Sequence, residues 1–306
     1  MYDIIVVGAG PAGLTAAIYA RRAEKSVLVI EKDTFGGQIT HSPRVENYPG
    51  FLAMSGVEFA DKLMEQAMEQ GAEIELDTVT GIVGKPGAYT VRCEGKDYDA
   101  KTVIIATGSK HRTLGLDGEF RYTGEGISYC AVCDGAFYRG KSVAVIGGGN
   151  SALQDAVLLS ESCPKVYVVQ NLAFLTGENR LCQILASRDN VEIIYSTVVT
   201  EIVGDTEFRG IKIKNTESGE ETTLSVDGMF VAIGQVPENE PFSDRVKLND
   251  YGYIIAGESC VPEGADAGIF TAGDCRTKTV RQITTATADG AVAALTAIRF
   301  IDSLGA

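Results

Sequence analysis

Histidine is nearly missing from this chain of 306 residues, with His41 and His111 the only two. No second C-x-x-C pair accompanies Cys130 and Cys133 either, so the partners for a four-ligand zinc site are lacking and no metal is expected. Cations are outnumbered, 27 Lys and Arg against 41 Asp and Glu, for a net charge of −14. That balance argues against a nucleic-acid partner, because phosphate recognition needs clustered Lys and Arg. No apolar run approaches the roughly 20 residues that span a bilayer. The N-terminus enters the apolar segment Tyr2–Val7 with no basic leader before it. Neither a membrane span nor a signal peptide is expected, and the chain reads as a cytoplasmic protein.

Seven cysteines are present, an odd number that cannot be fully paired, and only Cys130-Ala-Val-Cys133 stand close together. Two cysteines at this spacing can close a small, reducible disulfide, and the carboxyl of the following Asp134 can manage the protons. In a cytosolic chain such a pair is more often redox-active or metal-binding than a structural staple. Cys93, Cys163, Cys182, Cys260 and Cys275 are expected to pack as small hydrophobes.

The pair lies between two glycine-rich turns, each in a strand–turn–helix context. In the first, the strand Tyr2–Val7 leads through Gly8-Ala-Gly10-Pro-Ala12-Gly13 into a helix, Leu14–Arg22, and a second strand, Ser26–Ile30, that ends at Glu31. In the second, Ser142–Ile146 leads through Gly147-Gly-Gly149-Asn-Ser-Ala152 into Leu153–Ser160 and then Lys165–Val169. Shorter alternating segments follow each copy, near residues 73–100 and 191–226, and each closes on an apolar strand ending in Gly108 or Gly234. The pattern predicts an internally duplicated nucleotide-binding α/β domain, in keeping with a length beyond one usual domain. In the first turn Gly8 permits the tight bend, Gly10 lets the backbone approach a pyrophosphate, and Gly13 allows helix and strand to pack closely. The helix N-terminus offers oriented N–H groups to the phosphates, and Glu31 can accept hydrogen bonds from a ribose. A reducible cysteine pair set between two such turns points to electrons passing from a flavin into a disulfide.

With Gly36-Gly37-Gln38, Val45-Glu-Asn47-Tyr-Pro-Gly50, Ala106-Thr-Gly108, Ala272-Gly-Asp274 and Arg281-Gln282, these motifs run in order through nearly the whole chain. The chain resembles the low-molecular-weight thioredoxin reductases. That resemblance implies an α/β fold of two Rossmann-like, three-layer ββα nucleotide-binding domains, the second inserted into the first. The FAD-binding domain would comprise residues 1–115 and 245–306, and an inserted NAD(P)H-binding-like domain, 116–244, would carry the redox pair. It implies a homodimer with FAD held by Gly8, Gly10, Ala12, Gly13, Glu31, Gly36, Gly37, Gln38, Asn47, Asp274, Arg281, Gln282 and Ile283. By the same resemblance Cys133 is the sulfur next to the flavin, Cys130 attacks the disulfide of thioredoxin, and Asp134 moves the proton. One pair cannot face the flavin and a protein disulfide at once, so the inserted domain is expected to rotate on its two crossings.

The sequence departs from the family at one place. The eighteenth position after Gly13 is Glu31, whereas the same count from Ala152 reaches Gln170. Members that use NADPH are implied to carry His-Arg-Arg here and another Arg shortly beyond; this chain reads Gln170-Asn-Leu-Ala-Phe-Leu-Thr176, and the nearest arginine is Arg180. Each lost Arg–phosphate hydrogen bond is worth about 1.5–3 kcal/mol. Three readings follow: NADPH held through other residues such as Arg180 or Lys165, use of NADH, or an unused site with electrons arriving from ferredoxin. The third is favoured, by resemblance to a ferredoxin-dependent branch. Ferredoxins are usually acidic, so docking would need a basic patch, for which Arg21-Arg22-Ala-Glu-Lys25, Lys110-His111-Arg112 and Arg139-Gly-Lys141 are the candidates. The alternative from another class is a flavin electron carrier without disulfide turnover.

Overall fold

The structure is a computed structural model that describes residues 1–305. The chain opens with β1 (Tyr2–Val7), α1 (Pro11–Arg22), β2 (Val27–Glu31), α2 (Gly56–Glu69), β3 (Glu73–Leu76), β4 (Val79–Lys85), β5 (Ala88–Cys93) and β6 (Tyr98–Ile105). After β7 (Ser109–His111) come β8 (Ile127–Ser128), α3 (Ala131–Asp134), β9 (Ser142–Ile146), α4 (Asn150–Ser160), β10 (Lys165–Val169), α5 (Asn179–Ala186) and β11 (Val191–Ile194). The strands β12 (Thr197–Gly204), β13 (Phe208–Asn215), β14 (Glu221–Leu224), β15 (Gly228–Val231) and β16 (Gln235–Pro237) follow, and the chain ends with β17 (Ile269–Thr271) and α6 (Ile283–Leu304).

Two compact units result, Met1–Lys110 joined by the chain from Val236 onward, and His111–Gln235. The crossings fall earlier than the expected 115/116 and 244/245. The reason is packing: Leu114 and Leu116 already lie against the core of the second unit, while Phe242 is buried in the core of the first. The strands at the two crossings, β7 and β16, pair with each other.

In the first unit a parallel sheet runs β3-β2-β1-β6, and β17 pairs with the end of β6. The opening residues of β6 pair instead with β5, which carries β4, so an antiparallel layer grows from the same strand. Alternate residues of β1 explain its unbroken apolar run. Ile4 and Val6 face the core shared with α1 and α6, whereas Ile5 and Val7 face the core built with Ile82, Tyr89 and Val91. Each such side chain contributes about 1.5–3 kcal/mol by burial. The helices α1 and α6 approach closely because Gly290 faces Ala12; a Cβ there would lie 2.1 Å from the Ala12 carbonyl oxygen.

The second unit repeats the plan, with a parallel sheet β11-β10-β9-β15-β8 and an antiparallel sheet β12-β13-β14. The outermost strand differs in origin: β17 follows the other strands of its sheet in the chain, whereas β8 precedes them. Sequence reading left Ile269–Thr271 without a counterpart, and β8 fills that role.

Candidate functional site

The first glycine-rich turn is shaped as a dinucleotide cradle. Gly8 has φ of 109°, and a Cβ there would meet the Ala106 carbonyl oxygen at 2.4 Å. A Cβ on Gly10 would meet nothing nearer than 3.9 Å, so the face over this residue is open. Helix α1 begins at Pro11 with no side-chain cap on its first turn, which leaves its dipole end to a ligand. The Glu31 carboxylate braces the turn: its oxygens accept from the backbone N–H groups of Ala9 at 2.8 Å, Lys32 at 2.9 Å and Asp33 at 3.0 Å. Gly36 donates its N–H to the Ala9 carbonyl at 2.9 Å, which brings the Gly36-Gly37-Gln38 segment against the same turn. Asn47 donates from Nδ2 to Gln282 Oε1 at 3.2 Å, and Gln282 caps α6, directly before Ile283.

Two atoms here are buried without a hydrogen-bond partner, Asp274 Oδ1 and Arg281 Nε. Burial pushes the Asp274 carboxyl up, against the pull of Lys278 and Arg281. Buried polar groups without partners are uncommon, and their presence beside an open cradle fits a ligand that supplies hydrogen-bonding groups. Hydroxyls and ring nitrogens of a dinucleotide such as FAD would meet that need. Arg281 lies over the Tyr253 ring, 4.3 Å from its centre.

Sequence reading missed a charged network behind this cleft. Asp289 of α6 accepts from Arg276 through both oxygens, at 2.7 and 2.9 Å, from Lys278 Nζ at 3.0 Å and from the Gly273 N–H at 3.1 Å. A signal was available: Asp289 is the sole charge in the stretch Ile283–Ile298 of an alanine-rich helix.

In the second unit Cys130 and Cys133 are joined as a disulfide. Cys130 caps the short helix α3, its Sγ accepting the Cys133 N–H at 3.2 Å. Cys133 is exposed and Cys130 half-buried. Ser128 Oγ donates to Asp134 Oδ2 at 2.6 Å and itself accepts the Cys130 N–H at 3.1 Å, tying the carboxyl to the pair through one hydroxyl. Asp134 Oδ1 is buried without a partner. Burial pushes this carboxyl up, the Ser128 hydrogen bond opposing, so it holds its proton to a higher pH than an ordinary aspartate. A buried, raised carboxyl next to a disulfide is equipped to give and take a proton.

The second glycine-rich turn keeps the backbone of the first but not its polar lining. Gly147 has φ of 126°. Gln170, in the place of Glu31, is 3% exposed and donates its amide Nε2 to the Phe174 carbonyl of its own loop at 3.0 Å. Lys165 does not serve this turn: it stands at the opposite end of β10 and pairs with Glu192 at 2.7 Å. Among the three basic clusters, two are partly used internally, while Arg22 and Arg112 stay exposed. Lys25 pairs with Asp302, Arg21 donates to the carbonyls of Gln70 and Lys25, and Lys110 lies 3.5 Å from Glu238. His111 is no surface cation; burial lowers its imidazole to about 4, and its ring stacks on Tyr129. Arg139 and Lys141 stay exposed. Among the described residues no group of three or more His, Cys, Asp or Glu is placed to hold a metal, and no helix is long and apolar enough to cross a membrane.

Residues 2–290 match the family described as Pyridine nucleotide-disulphide oxidoreductase. The thioredoxin reductase of Listeria monocytogenes is 40% identical over 305 residues, 99% of this chain and 95% of that protein. A Clostridium pasteurianum protein described as a 34.2 kDa protein in rubredoxin operon is 41% identical over 300 residues, 98% of this chain and 97% of that one. The crystal structure of thioredoxin reductase from Streptococcus pyogenes superposes with a TM-score of 0.94 at 39% identity, covering 99% of both chains.

Proposed function

The chain belongs to the pyridine nucleotide-disulphide oxidoreductases and, within them, to the FAD-binding thioredoxin reductases; from that premise we propose that it reduces thioredoxin through Cys130 and Cys133 with electrons from a reduced ferredoxin rather than from NADPH. When bound, FAD supplies the two-electron redox centre, and Gly8, Gly10, Ala12, Gly13, Glu31, Gly36, Gly37, Gln38, Asn47, Asp274, Arg281, Gln282 and Ile283 would hold it. Cys133 is assigned to the flavin side and Cys130 to the substrate side.

Exchange starts from the reduced pair. The Cys130 thiolate attacks one sulfur of the thioredoxin disulfide, that S–S bond breaks, and a mixed disulfide forms. The Cys133 thiolate then attacks the Cys130 sulfur, re-forming Cys130–Cys133 and releasing the second thioredoxin thiolate. Two electrons leave with the substrate dithiol. Asp134, hydrogen-bonded through Ser128 to the backbone of Cys130, exchanges a proton with the thiol that its neighbourhood must ionise.

One observation carries the choice of donor: the turn that would hold a nicotinamide nucleotide has no acid in the place of Glu31 and no cation in its loop, whose one carboxylate, Glu178, is taken by Asn150. Gln170 is spent on Phe174, Lys165 on Glu192, and no Lys or Arg occurs from Val166 to Asn179. The description of the Clostridium relative, a protein in rubredoxin operon, supports a setting of small iron-containing electron carriers. NADPH is the second reading, favoured by the intact glycine turn. Exposed Arg22, Arg112, Arg139 and Lys141 remain as candidate cations for an acidic carrier. A cytoplasmic homodimer completes the reading.

The test is anaerobic mixing of the FAD-loaded protein with NADPH, NADH and reduced ferredoxin in turn, followed by the flavin absorbance. Bleaching by ferredoxin alone, followed by thioredoxin reduction, supports the reading. Rapid bleaching by NADPH at micromolar concentration would replace it with the second.

A further inference from the structure

The charges behind the flavin cleft divide into two pairs. Arg276 grips both oxygens of Asp289, at 2.7 and 2.9 Å, and their charges cancel. Lys278 also touches Asp289, at 3.0 Å, but Asp289 already has its counter-charge. The cation left over is Lys278, and the anion left over is Asp274, whose Oδ1 lies 3.6 Å from Lys278 Nζ. The Lys278 side chain is 7% exposed, so water does not compensate its charge. Asp274 Oδ1 is buried with no hydrogen-bond partner. Its carboxyl faces Lys278 and Arg281 as cations and Asp289 as a second anion, and burial pushes it toward the protonated form.

We propose that Lys278 is a positioning residue for the flavin: clamped on Asp289, its buried ammonium keeps the Asp274 carboxylate ionised and fixed, ready to accept hydrogen bonds from FAD. Asp289 serves as the anchor that fixes where the ammonium sits, and Arg276 keeps Asp289 charged. Three residues of the loop between β17 and α6, Asp274, Arg276 and Lys278, thereby act with Asp289 of α6 as one electrostatic unit, with Gly273 also tied to Asp289 by its N–H. The inference rests on FAD binding in the first unit and is independent of the electron donor.

The experiment is a double-mutant cycle on protein stripped of FAD and titrated with FAD, reading the quenching of flavin fluorescence. Lys278→Met is expected to weaken FAD binding about tenfold or more, the scale of one lost charge-assisted contact. Lys278→Arg, which keeps the charge, is expected to recover most of that loss. In an Asp274→Asn background, where no carboxylate needs a counter-charge, Lys278→Met is expected to change FAD affinity by less than about threefold. Equal losses in the two backgrounds, or no loss in either, would overturn the proposal. Lys278→Gln repeats the cycle if Lys278→Met is unstable. Should neither give folded FAD-free protein, Lys278 serves the fold and the assignment to the flavin falls. Since the readout is FAD affinity, failure here leaves the donor question untouched.

Discussion

Replacing Glu31 by Gln tests whether the first cradle works as its hydrogen bonds indicate. The carboxylate accepts three backbone N–H groups, those of Ala9 at 2.8 Å, Lys32 at 2.9 Å and Asp33 at 3.0 Å. A glutamine amide keeps one oxygen. In one orientation the Ala9 N–H faces an NH2 group, in the other the N–H groups of Lys32 and Asp33 do. The milder choice loses one hydrogen bond to a charged acceptor, about 1.5–3 kcal/mol when buried. Glu31 is partly exposed, and water recovers part of this, so about 1–2 kcal/mol remains. For a unit of this size that lowers the melting temperature of FAD-free protein by about 2–8 °C. The ribose loses a charged acceptor too, which weakens FAD binding about tenfold or more. Melting curves and FAD titration read the two effects separately. Melting within 1 °C of wild type (about 0.3 kcal/mol), together with unchanged FAD affinity, would refute the reasoning.

Gln170→Glu in the second turn, the reverse exchange, is expected to destabilise as well. It removes the donor to Phe174 and buries a carboxylate against a carbonyl, costing about 1–3 kcal/mol with no gain in reduction by NADH; a gain would revive a nucleotide site. Cys133→Ser should keep FAD bound and abolish thioredoxin reduction, and residual turnover above a few per cent of wild type (roughly 2 kcal/mol of barrier) would contradict the exchange scheme. Asp134→Asn should slow thioredoxin reduction roughly 10²-fold. The wild-type rate should fall as pH rises through the raised Asp134 pKa, where the acid form is lost, and the variant should lack that limb. Asp155 of α4 is raised by burial from 3.8 to about 7. Its stabilising contribution is therefore complete below about pH 4 and lost as pH rises through about 7. Wild type and Asp155→Asn should be about equally stable near pH 4, and wild type should fall below the variant by about 2–4 kcal/mol as pH rises to 8, read from their unfolding midpoints.

What the sequence revealed depended on how local the signal was. The duplicated strand–turn–helix and the Cys130–Asp134 motif are contiguous, and the burial of β1 on both faces is written in Ile4-Ile-Val-Val7. The unit boundaries were placed several residues late because they depend on which core Leu114, Leu116 and Phe242 join. That is a property of packing, invisible in a linker that is polar and glycine-rich. The spatial equivalence of β8 and β17 was hidden for a related reason: matching positions in two sheets are filled from opposite sides of the repeat. Ser128 and Lys278 escaped notice because a hydroxyl or an ammonium gains its meaning only from the buried carboxylate beside it, Asp134 in one case and Asp274 in the other. Charge in a sequence does not tell whether a cation already has a partner. Lys110 and His111 are adjacent, yet one is paired with Glu238 and the other is half-buried, its imidazole lowered by desolvation.

The two glycine turns separate what the fold requires from what a ligand requires. Gly8 and Gly147 have φ of 109° and 126°, and a Cβ on either would strike a carbonyl oxygen at the end of a neighbouring strand segment, Ala106 at 2.4 Å and Ala232 at 2.6 Å. Both are therefore demanded by the strand–turn–helix itself, whether or not a nucleotide is bound. An intact glycine pattern in the second unit is thus weak evidence for a working site. The middle residue differs in an informative way. In the first turn it is Ala9, whose N–H is taken by Glu31. In the second it is Gly148, and a Cβ there would lie 2.4 Å from the Gln170 side chain. The glutamine folds over the turn and fills space that an alanine would need, its amide committed to Phe174. Glycine at 148 and glutamine at 170 are consequently one structural solution. It preserves the turn while supplying neither the acid nor the cations that a dinucleotide ribose and its phosphate call for.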